Sequence, residues 1–372
     1  MQTSRSIHRM FVLAAVSLIA LSVAATTHAV TFNQPVQEGD LVATTTNLDR
    51  LIQIRGNAVI SDINFGAADA VGGVFSTQGN VFIANNTAGA RSIDFIAHGE
   101  TMSTSIIGNA QLTGTGNIRD IAVAFDGTVY VSYAGGNGTV QKFTPDGIGG
   151  FNAAINLGTF GITTSDRGSD HLTLSLDGKY LLTAARNGAF DLASMDTTTG
   201  AAQGFLIPGA GLGIGQMALD PITGNRIVYG VTNDVGGFEL FETDFNTVTG
   251  AIGAGGETPL ADFGANLVDS IAIDPVTGDL YFTIRSSKLE TGSYALLTAA
   301  RLGTTFTEGS LTIQLTNGAV NITRDLALVG AVPVPEPATA LLLFGAVGLL
   351  ARRRSDNRKR GESSADAVRI SA

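Results

Sequence analysis

The sequence contains no cysteine and no tryptophan, only four histidines, and 15% charged residues. Without cysteine, the chain cannot form disulfides, use a thiolate nucleophile or bind a metal through sulfur. It also lacks the Gly-x-x-x-x-Gly-Lys-Ser/Thr loop that binds phosphate and the Gly-x-Ser-x-Gly turn of serine hydrolases. Stability must therefore come from a hydrophobic core.

The amino terminus has the pattern of an export signal. Arg5 and Arg9 precede an apolar stretch over residues 10–25, and Thr27-His28-Ala29 follows it. This order of basic, apolar and small residues predicts a signal peptide over 1–29, which signal peptidase would cut after Ala29. A retained membrane anchor is the alternative, although the apolar stretch is short for a membrane span.

The carboxyl terminus has a second three-part pattern. The block Val334-Pro335-Glu336-Pro337 precedes an apolar run over 338–351, and Arg352-Arg353-Arg354 follows it. The run has no polar face, which argues against an ordinary amphipathic helix. We expect a short hydrophobic helix over 338–351 and a basic cytoplasmic tail over 355–372.

This tail resembles the PEP-CTERM sorting signal, in a segment that we place at residues 332–354. The resemblance implies export, transient anchoring in the inner membrane, and removal of the tail by an exosortase. It also implies that the mature protein reaches the cell surface or the extracellular space.

Removal of both signals makes the chain more acidic. The leader holds two of the 22 basic residues, and seven basic and three of the 32 acidic residues follow Ala351. The mature chain thus keeps 13 basic and 29 acidic residues, a net charge near −16. Such a surface repels phosphate backbones, so nucleic acid is excluded as a partner.

The body of the chain, residues 30–331, repeats one hairpin pattern. Each copy has an apolar stretch, a turn of the form Asp-Gly or Asp-Pro-x-Thr-Gly, and a second apolar stretch. The turns begin at Asp126, Asp177, Asp220 and Asp274, at intervals of 51, 43 and 54 residues. Such turns favour β-hairpins, and about four strands per repeat predict an all-β fold, the β-propeller. An all-β pair of sandwiches is the competing architecture.

The last repeat predicts how the propeller closes. Arg324-Asp325-Leu326-Ala327 resembles Arg119-Asp120-Ile121-Ala122, but no hairpin follows it. We expect three amino-terminal strands, over 41–45, 51–55 and 58–63, to complete this blade and close the ring. The count is then six blades, or seven if 289–314 holds a further one. At this level of repeat pattern the body resembles extracellular propellers of the NHL or lactonase-like kind.

Five aspartates are predicted to fall just before the inner strands, and so to converge on the axis. They are Asp69, Asp120, Asp170, Asp269 and Asp325. Inward carboxylates would suit Ca²⁺, the one cofactor that this pattern suggests. Alternatively each carboxylate accepts hydrogen bonds from the connecting loops, as a structural brace without metal. The brace is our expectation.

Histidines offer little further chemistry. His98 and His171 are predicted on different blades, and Asp170 and His171 would point to opposite faces of a strand. We therefore predict no catalytic and no cofactor-binding residue. Two functions remain: a non-catalytic surface or matrix protein associated with exopolysaccharide or surface proteins, and a secreted propeller enzyme, a lactonase-like hydrolase or sugar lyase, with an axial divalent metal.

Overall fold

The computed structural model describes residues 30–330, except for 46–49, 57, 66–70, 88–90, 135–138, 161–170, 185–191, 207–213, 236–237, 262–266, 286–292, 303–304 and 317–322. The predicted signal peptide and sorting tail lie outside these residues. Within the described part every regular element is a β-strand, so no helix suited to crossing a membrane is found there.

The strands are short and numerous. Their bounds are β1 (Leu41–Thr45), β2 (Arg50–Arg55), β3 (Ala58–Asn64), β4 (Val71–Thr77), β5 (Asn80–Asn85), β6 (Ser92–Ile96), β7 (Thr104–Ile107), β8 (Ile118–Val123), β9 (Val129–Tyr133), β10 (Thr139–Phe143), β11 (Ile155–Thr159), β12 (His171–Leu174), β13 (Tyr180–Ala184), β14 (Leu192–Asp196), β15 (Ala202–Leu206), β16 (Ile214–Leu219), β17 (Arg226–Val235), β18 (Phe238–Phe245), β19 (Ile252–Ala261), β20 (Leu267–Ile273), β21 (Leu280–Arg285), β22 (Ser293–Leu302), β23 (Thr305–Thr316) and β24 (Thr323–Leu328).

The described strands form six four-stranded antiparallel sheets, which we call blades 1 to 6. Blade 1 has the order β24-β1-β2-β3, and blades 2 to 6 take four consecutive strands each, from β4–β7 to β20–β23. The first strands of adjacent blades contact one another in the cyclic order β24, β4, β8, β12, β16, β20 and back to β24. This ring is a β-propeller, and the prediction of six blades is confirmed.

The two ends of the propeller meet in blade 1. Strand β24 pairs antiparallel with β1, with Leu328 opposite Leu41 and Asp325 opposite Thr44. Strands β2 and β3 follow β1 in the same sheet. The predicted closure by amino-terminal strands is therefore confirmed. Strand β1 is then paired on both sides, with β24 and with β2, and is not left as an open edge.

The hairpin turns follow from their sequences. Gly127, Gly178, Gly224 and Gly278 have φ between 68° and 84°, where a residue with a Cβ is strained. The preceding aspartate accepts a hydrogen bond from the backbone two residues later, as Asp126 does from the N–H of Thr128 at 2.9 Å. These turns fix where β8, β12, β16 and β20 end.

The hydrophobic core lies between blades. Six clusters of buried apolar side chains occur, one at each of the six blade interfaces. Between blades 4 and 5, for example, Leu182 packs in one cluster with Met217 and Phe241. Each blade thus depends on both neighbours for burial of its faces, so stability depends on an unbroken ring.

Candidate functional site

One position of the inner strands brings polar side chains to the propeller axis. In β8, β12, β16, β20 and β24 this residue is the fourth from the carboxyl end of the strand. In β4 the corresponding residue is Gly73, within the irregular stretch between Val71 and Val74. We call the six residues the axial layer: Gly73, Asp120, His171, Gln216, Ser270 and Asp325. The five with side chains are buried. Whatever chemistry this layer has is therefore shielded from water.

Three members of the axial layer join neighbouring blades. Asp120 accepts a hydrogen bond from the N–H of Leu172 at 2.6 Å, and Gln216 Oε1 accepts one from Ile271 at 2.6 Å. Asp325 accepts one from Val74 at 2.7 Å. In each pair the acceptor lies in blade 3, 5 or 1 and the donor in the next blade. The layer therefore alternates, with every second blade supplying a brace to its neighbour.

Other contacts in the layer cross the axis. The Nε2 of Gln216 in blade 5 donates to Oδ1 of Asp325 in blade 1. Ligand atoms of Asp120, His171 and Asp325 lie within 4.8 Å of one another, although they come from three blades. At this level the axis is filled by side chains that bond to each other and to the backbone.

Gly73 makes room for this packing. A Cβ at this position would lie 1.7 Å from Oδ1 of Asp120 and 2.9 Å from its Cα. No side chain can be that close. Glycine in β4 is therefore required by the carboxylate in β8.

Burial changes the titration of the two carboxylates. Loss of solvation and repulsion by Asp325 raise the pKa of Asp120 well above its usual range. Burial also raises the pKa of Asp325, to about 6, against the opposing effect of the N–H of Val74. Since the two groups face each other, they titrate as a pair that retains protons above the pH at which free aspartates lose them.

Because of this pair, we expect the protein to be more stable in mild acid than at neutral pH. The folded state keeps protons that the unfolded chain releases near pH 4, so the free energy of unfolding decreases as pH rises through about 6. We expect a loss on the order of 2 kcal/mol or more between pH 5 and pH 8. Urea unfolding across this range measures it.

The variant Asp120→Asn is the control for this pH dependence. It removes one of the two titrating carboxylates and leaves Asp325 and His171 in place. We expect the variant to have a flatter stability profile than the wild type. A profile as steep as that of the wild type would mean that the pair is not its origin.

The five aspartates predicted to converge on the axis do not all occupy the axial position. Asp120 and Asp325 meet at the axis and accept hydrogen bonds from the next blade, as a brace does. Both lie inside their strands, so the prediction that they precede the strands is wrong. Asp269 lies in β20 at an irregularity between Val268 and Ser270, and Ser270 takes the axial position instead. Asp69 and Asp170 lie outside the described residues.

The histidines do not form one site. His98 is exposed in the connection between β6 and β7 of blade 2, whereas His171 is buried in blade 4. Nδ1 of His171 lies 4.0 Å from Oδ1 of Asp325. The sorting residues Val334 to Pro337 and Arg352 to Arg354 lie outside the described residues.

Sequence reasoning missed Gln216. The segment Gln216-Met217-Ala218-Leu219 has the same apolar pattern as Asp120-Ile121-Ala122-Val123, and this likeness could have identified it. Gln216 carries an amide at the position where Asp120 and Asp325 carry carboxylates. An amide carbonyl accepts a backbone hydrogen bond equally well.

The axial layer also offers a ligand set. One imidazole and two carboxylates are groups that bind divalent cations such as Zn²⁺ or Mn²⁺, and the carboxylates suit Ca²⁺. Each carboxylate oxygen already accepts a hydrogen bond, from Ile121 and Leu172 for Asp120, and from Leu326 and Val74 for Asp325. A cation would have to share these oxygens with the braces.

Comparison with known proteins identifies the tail and the fold. Residues 333–355 match the model of the PEP-CTERM protein-sorting motif, a span that is shifted by one residue toward the carboxyl terminus from the predicted 332–354. No curated protein sequence matches the chain.

Solved structures share the fold at low identity. A protein of unknown function from Bacteroides caccae is 12% identical, with a TM-score of 0.52 over 78% of this chain and 98% of that one. A chain of the nidogen/laminin complex is 12% identical, with a TM-score of 0.51 over 77% and 97%. A candidate 6-phosphogluconolactonase from Bacteroides uniformis is 17% identical, with a TM-score of 0.47 over 82% and 90%. The first two likenesses, with TM-scores above 0.5, describe the fold alone. The chain is a β-propeller that carries a PEP-CTERM sorting motif after its last strand in the sequence.

Proposed function

We propose that the protein is a non-catalytic propeller of the cell surface or extracellular matrix, associated with exopolysaccharide. The sorting motif at 333–355 implies export and processing by an exosortase. The observation that supports a non-catalytic role is the axial layer, because the oxygens of Asp120 and Asp325 are occupied by backbone N–H groups. Groups held in this way are suited to bracing rather than to binding a substrate.

Maturation defines the exported product in this proposal. Signal peptidase removes residues 1–29 and exosortase cuts close to Pro335, which leaves about residues 30–337. Val30 is buried, and its backbone N–H donates to Oγ of Ser103 at 2.8 Å, so the proposed mature chain is bound to the propeller from its first residue. The net charge near −16 favours a dispersed, hydrated product.

A secreted enzyme with an axial divalent metal is the second candidate. It is favoured by one observation, the approach of Asp120, His171 and Asp325 to within 4.8 Å. In this alternative the three residues would hold the ion, which would polarise a substrate carbonyl or activate a water. It ranks second because the site is buried and its carboxylates already serve the blades.

The intact mass of the exported protein tests maturation. We expect a mass matching about residues 30–337 from an exosortase-positive host, and retention of the arginine cluster from a host without exosortase. The variant Pro335→Ala/Pro337→Ala should keep the tail in both hosts. A wild-type mass that includes Arg352 to Arg354 in the positive host would contradict the proposal.

Binding experiments on the mature protein separate the two candidates. We expect the protein to co-sediment with the host's purified exopolysaccharide, and its melting temperature to be the same in 1 mM Ca²⁺, Mn²⁺ or Zn²⁺ and in chelator. A metal-dependent rise that is lost in His171→Gln would support the enzyme instead, because binding to the folded state raises stability.

A further inference from the structure

A short segment before β1 packs against two blades. Residues 30–36, which we call the strap, lie outside the six sheets. Val30, Phe32 and Val36 are buried, whereas Thr31 and Asn33 are exposed. Such alternation is typical of an extended segment with one face against a core. The strap is therefore held like a strand rather than as a surface loop.

Backbone hydrogen bonds join the strap to blade 2. Thr31 and Met102 form an antiparallel bridge, and the N–H groups of Phe32 and Ser103 donate across it, each at 2.8 Å. The backbone of Val36 makes two further hydrogen bonds, of 2.9 and 2.8 Å, to the same connection between β6 and β7. The strap is thus bonded to blade 2 near both of its ends.

Other hydrogen bonds join the strap to blade 1. The N–H of Asn33 donates to Oγ of Ser61 in β3 at 2.8 Å. The carbonyl of Pro35 accepts a hydrogen bond from Nη2 of Arg55 in β2 at 2.7 Å. The strap therefore spans two neighbouring blades, and one of them is the blade in which the ring closes.

A buried aspartate connects this region to the last strand. The carboxylate of Asp40 accepts hydrogen bonds from Gln53 at 2.8 Å and from Arg55 at 2.7 Å, both in β2. Its backbone carbonyl accepts a hydrogen bond from the N–H of Val329, and the N–H of Gly39 donates to the carbonyl of Val329, each at 2.8 Å. Because Arg55 also bonds to the strap, the strap and the residue after β24 share one network.

The strap and β24 also share one part of the core. The three buried strap side chains belong to a single apolar cluster with residues of β1, β2, blade 2 and the end of β24. The members that carry this argument are Val30, Phe32, Val36, Val42, Leu51, Val74, Ala327 and Val329. Release of the strap would expose apolar surface on both sides of the β24–β1 pairing, which we call the seam.

We infer that the strap is a lock on the propeller, which has to leave its site before β24 can separate from β1. The seam is where strands from the two ends of the propeller pair, and its opening would expose the unpaired edge of β1. A signal peptide that ends at Ala29 leaves the whole strap in the product. Cleavage several residues later would remove part of the lock. The inference does not depend on the proposed association with exopolysaccharide.

A disulfide between the strap and blade 2 tests this inference on the whole mature protein. Thr31 and Met102 are exposed, and bonds on either side of them make them a non-hydrogen-bonded pair, in which side chains lie close together. The chain has no cysteine of its own. In Thr31→Cys/Met102→Cys the oxidised form keeps the strap in place, and the reduced form is its matched control.

Hydrogen exchange of the seam is the measurement. We expect peptides that cover 41–45 and 323–329 to exchange at least fivefold more slowly in the oxidised form than in the reduced form, because the seam opens only after the strap has left. Equal exchange of the seam in the two forms would overturn the inference, since β24 would then separate while the strap stays bound.

A pair of cavity variants tests the lock in the opposite direction. Phe32→Ala/Val36→Ala should raise exchange of the seam, relative to exchange of 180–184 and 226–231 in blades 4 and 5, at least tenfold. Leu182→Ala/Met217→Ala removes buried side chains between blades 4 and 5 and should not raise this ratio.

An unchanged ratio in Phe32→Ala/Val36→Ala would also contradict the inference, because the strap would then affect all blades alike. If that variant does not fold, the two forms of the disulfide variant still decide the question. Neither experiment involves the sorting tail, so both succeed or fail separately from the intact-mass experiment.

Discussion

Replacement of Asp325 by alanine is expected to destabilise the propeller by about 3 to 5 kcal/mol. The carboxylate accepts hydrogen bonds from the N–H of Val74 at 2.7 Å and of Leu326 at 2.9 Å, and a further one from the amide of Gln216. All three donors would lose their acceptor in a buried site. Relief of the repulsion with Asp120 offsets part of the cost, and this offset is smallest at pH 5, where the pair holds protons. Urea unfolding at pH 5 is therefore the measurement.

Asp126→Ala is the matched control for that variant. Asp126 is exposed and its carboxylate accepts the N–H of Thr128 in a turn, so its loss should cost about 1 kcal/mol or less. Asp325→Asn, which keeps the size and one acceptor oxygen, should fall between the two. If Asp325→Ala cost no more than Asp126→Ala, Asp325 could not be a brace between blades 1 and 2.

Replacement of Gly73 by alanine is expected to destabilise the protein by about 2 to 4 kcal/mol, although it adds only one methyl group. The added Cβ would meet both the carboxylate and the backbone of Asp120. A side chain could rotate away, but the Cα of Asp120 can move only if β8 shifts within blade 3. Overpacking of this kind costs about 1 to 3 kcal/mol in well-packed cores, and here it also disturbs the bond from Asp120 to Leu172.

Gly108→Ala provides the comparison. A Cβ on Gly108 would meet nothing within 4 Å, so this variant should change the free energy of unfolding by less than about 0.5 kcal/mol. Thermal melting of both variants beside the wild type is sufficient. Equal melting temperatures for the two glycine variants would show that β4 and β8 can move apart without cost. That result would contradict the close packing of Gly73 against Asp120.

The repeat and its closure could be predicted from sequence because local chemistry determines them. Asp-Gly and Asp-Pro-x-Thr-Gly specify tight turns wherever they occur, and four glycines take the left-handed φ that these turns require. The copy of the first-strand pattern at Asp325 predicted that the last strand needs partners from elsewhere. The predicted strand over 41–45 has the same bounds as β1 in the structure.

The axial layer could not be predicted in the same way because its members differ chemically. A glycine, two aspartates, a histidine, a glutamine and a serine share one position, so no residue type marks it. Which of them braces a neighbour depends on the space left by the next strand, as Gly73 and Asp120 illustrate. The presence of an aspartate does not by itself predict the axial position, since Asp269 lies beside that position rather than in it.

The pairing of β24 with β1 also determines the order of events during export. Strand β1 leaves the cytoplasm early and waits with an unpaired edge until nearly the whole chain has followed, because its partner is the last strand made. Slow, non-local pairing of this kind exposes intermediates to aggregation. The sorting motif begins at residue 333, directly after β24 ends at Leu328. A cut within the motif thus leaves β24 on the chain, and the ring can close. A cut before β24 would remove the partner of β1 and leave the ring open. Because the motif lies after β24 in the sequence, cleavage within it does not remove a strand of the propeller.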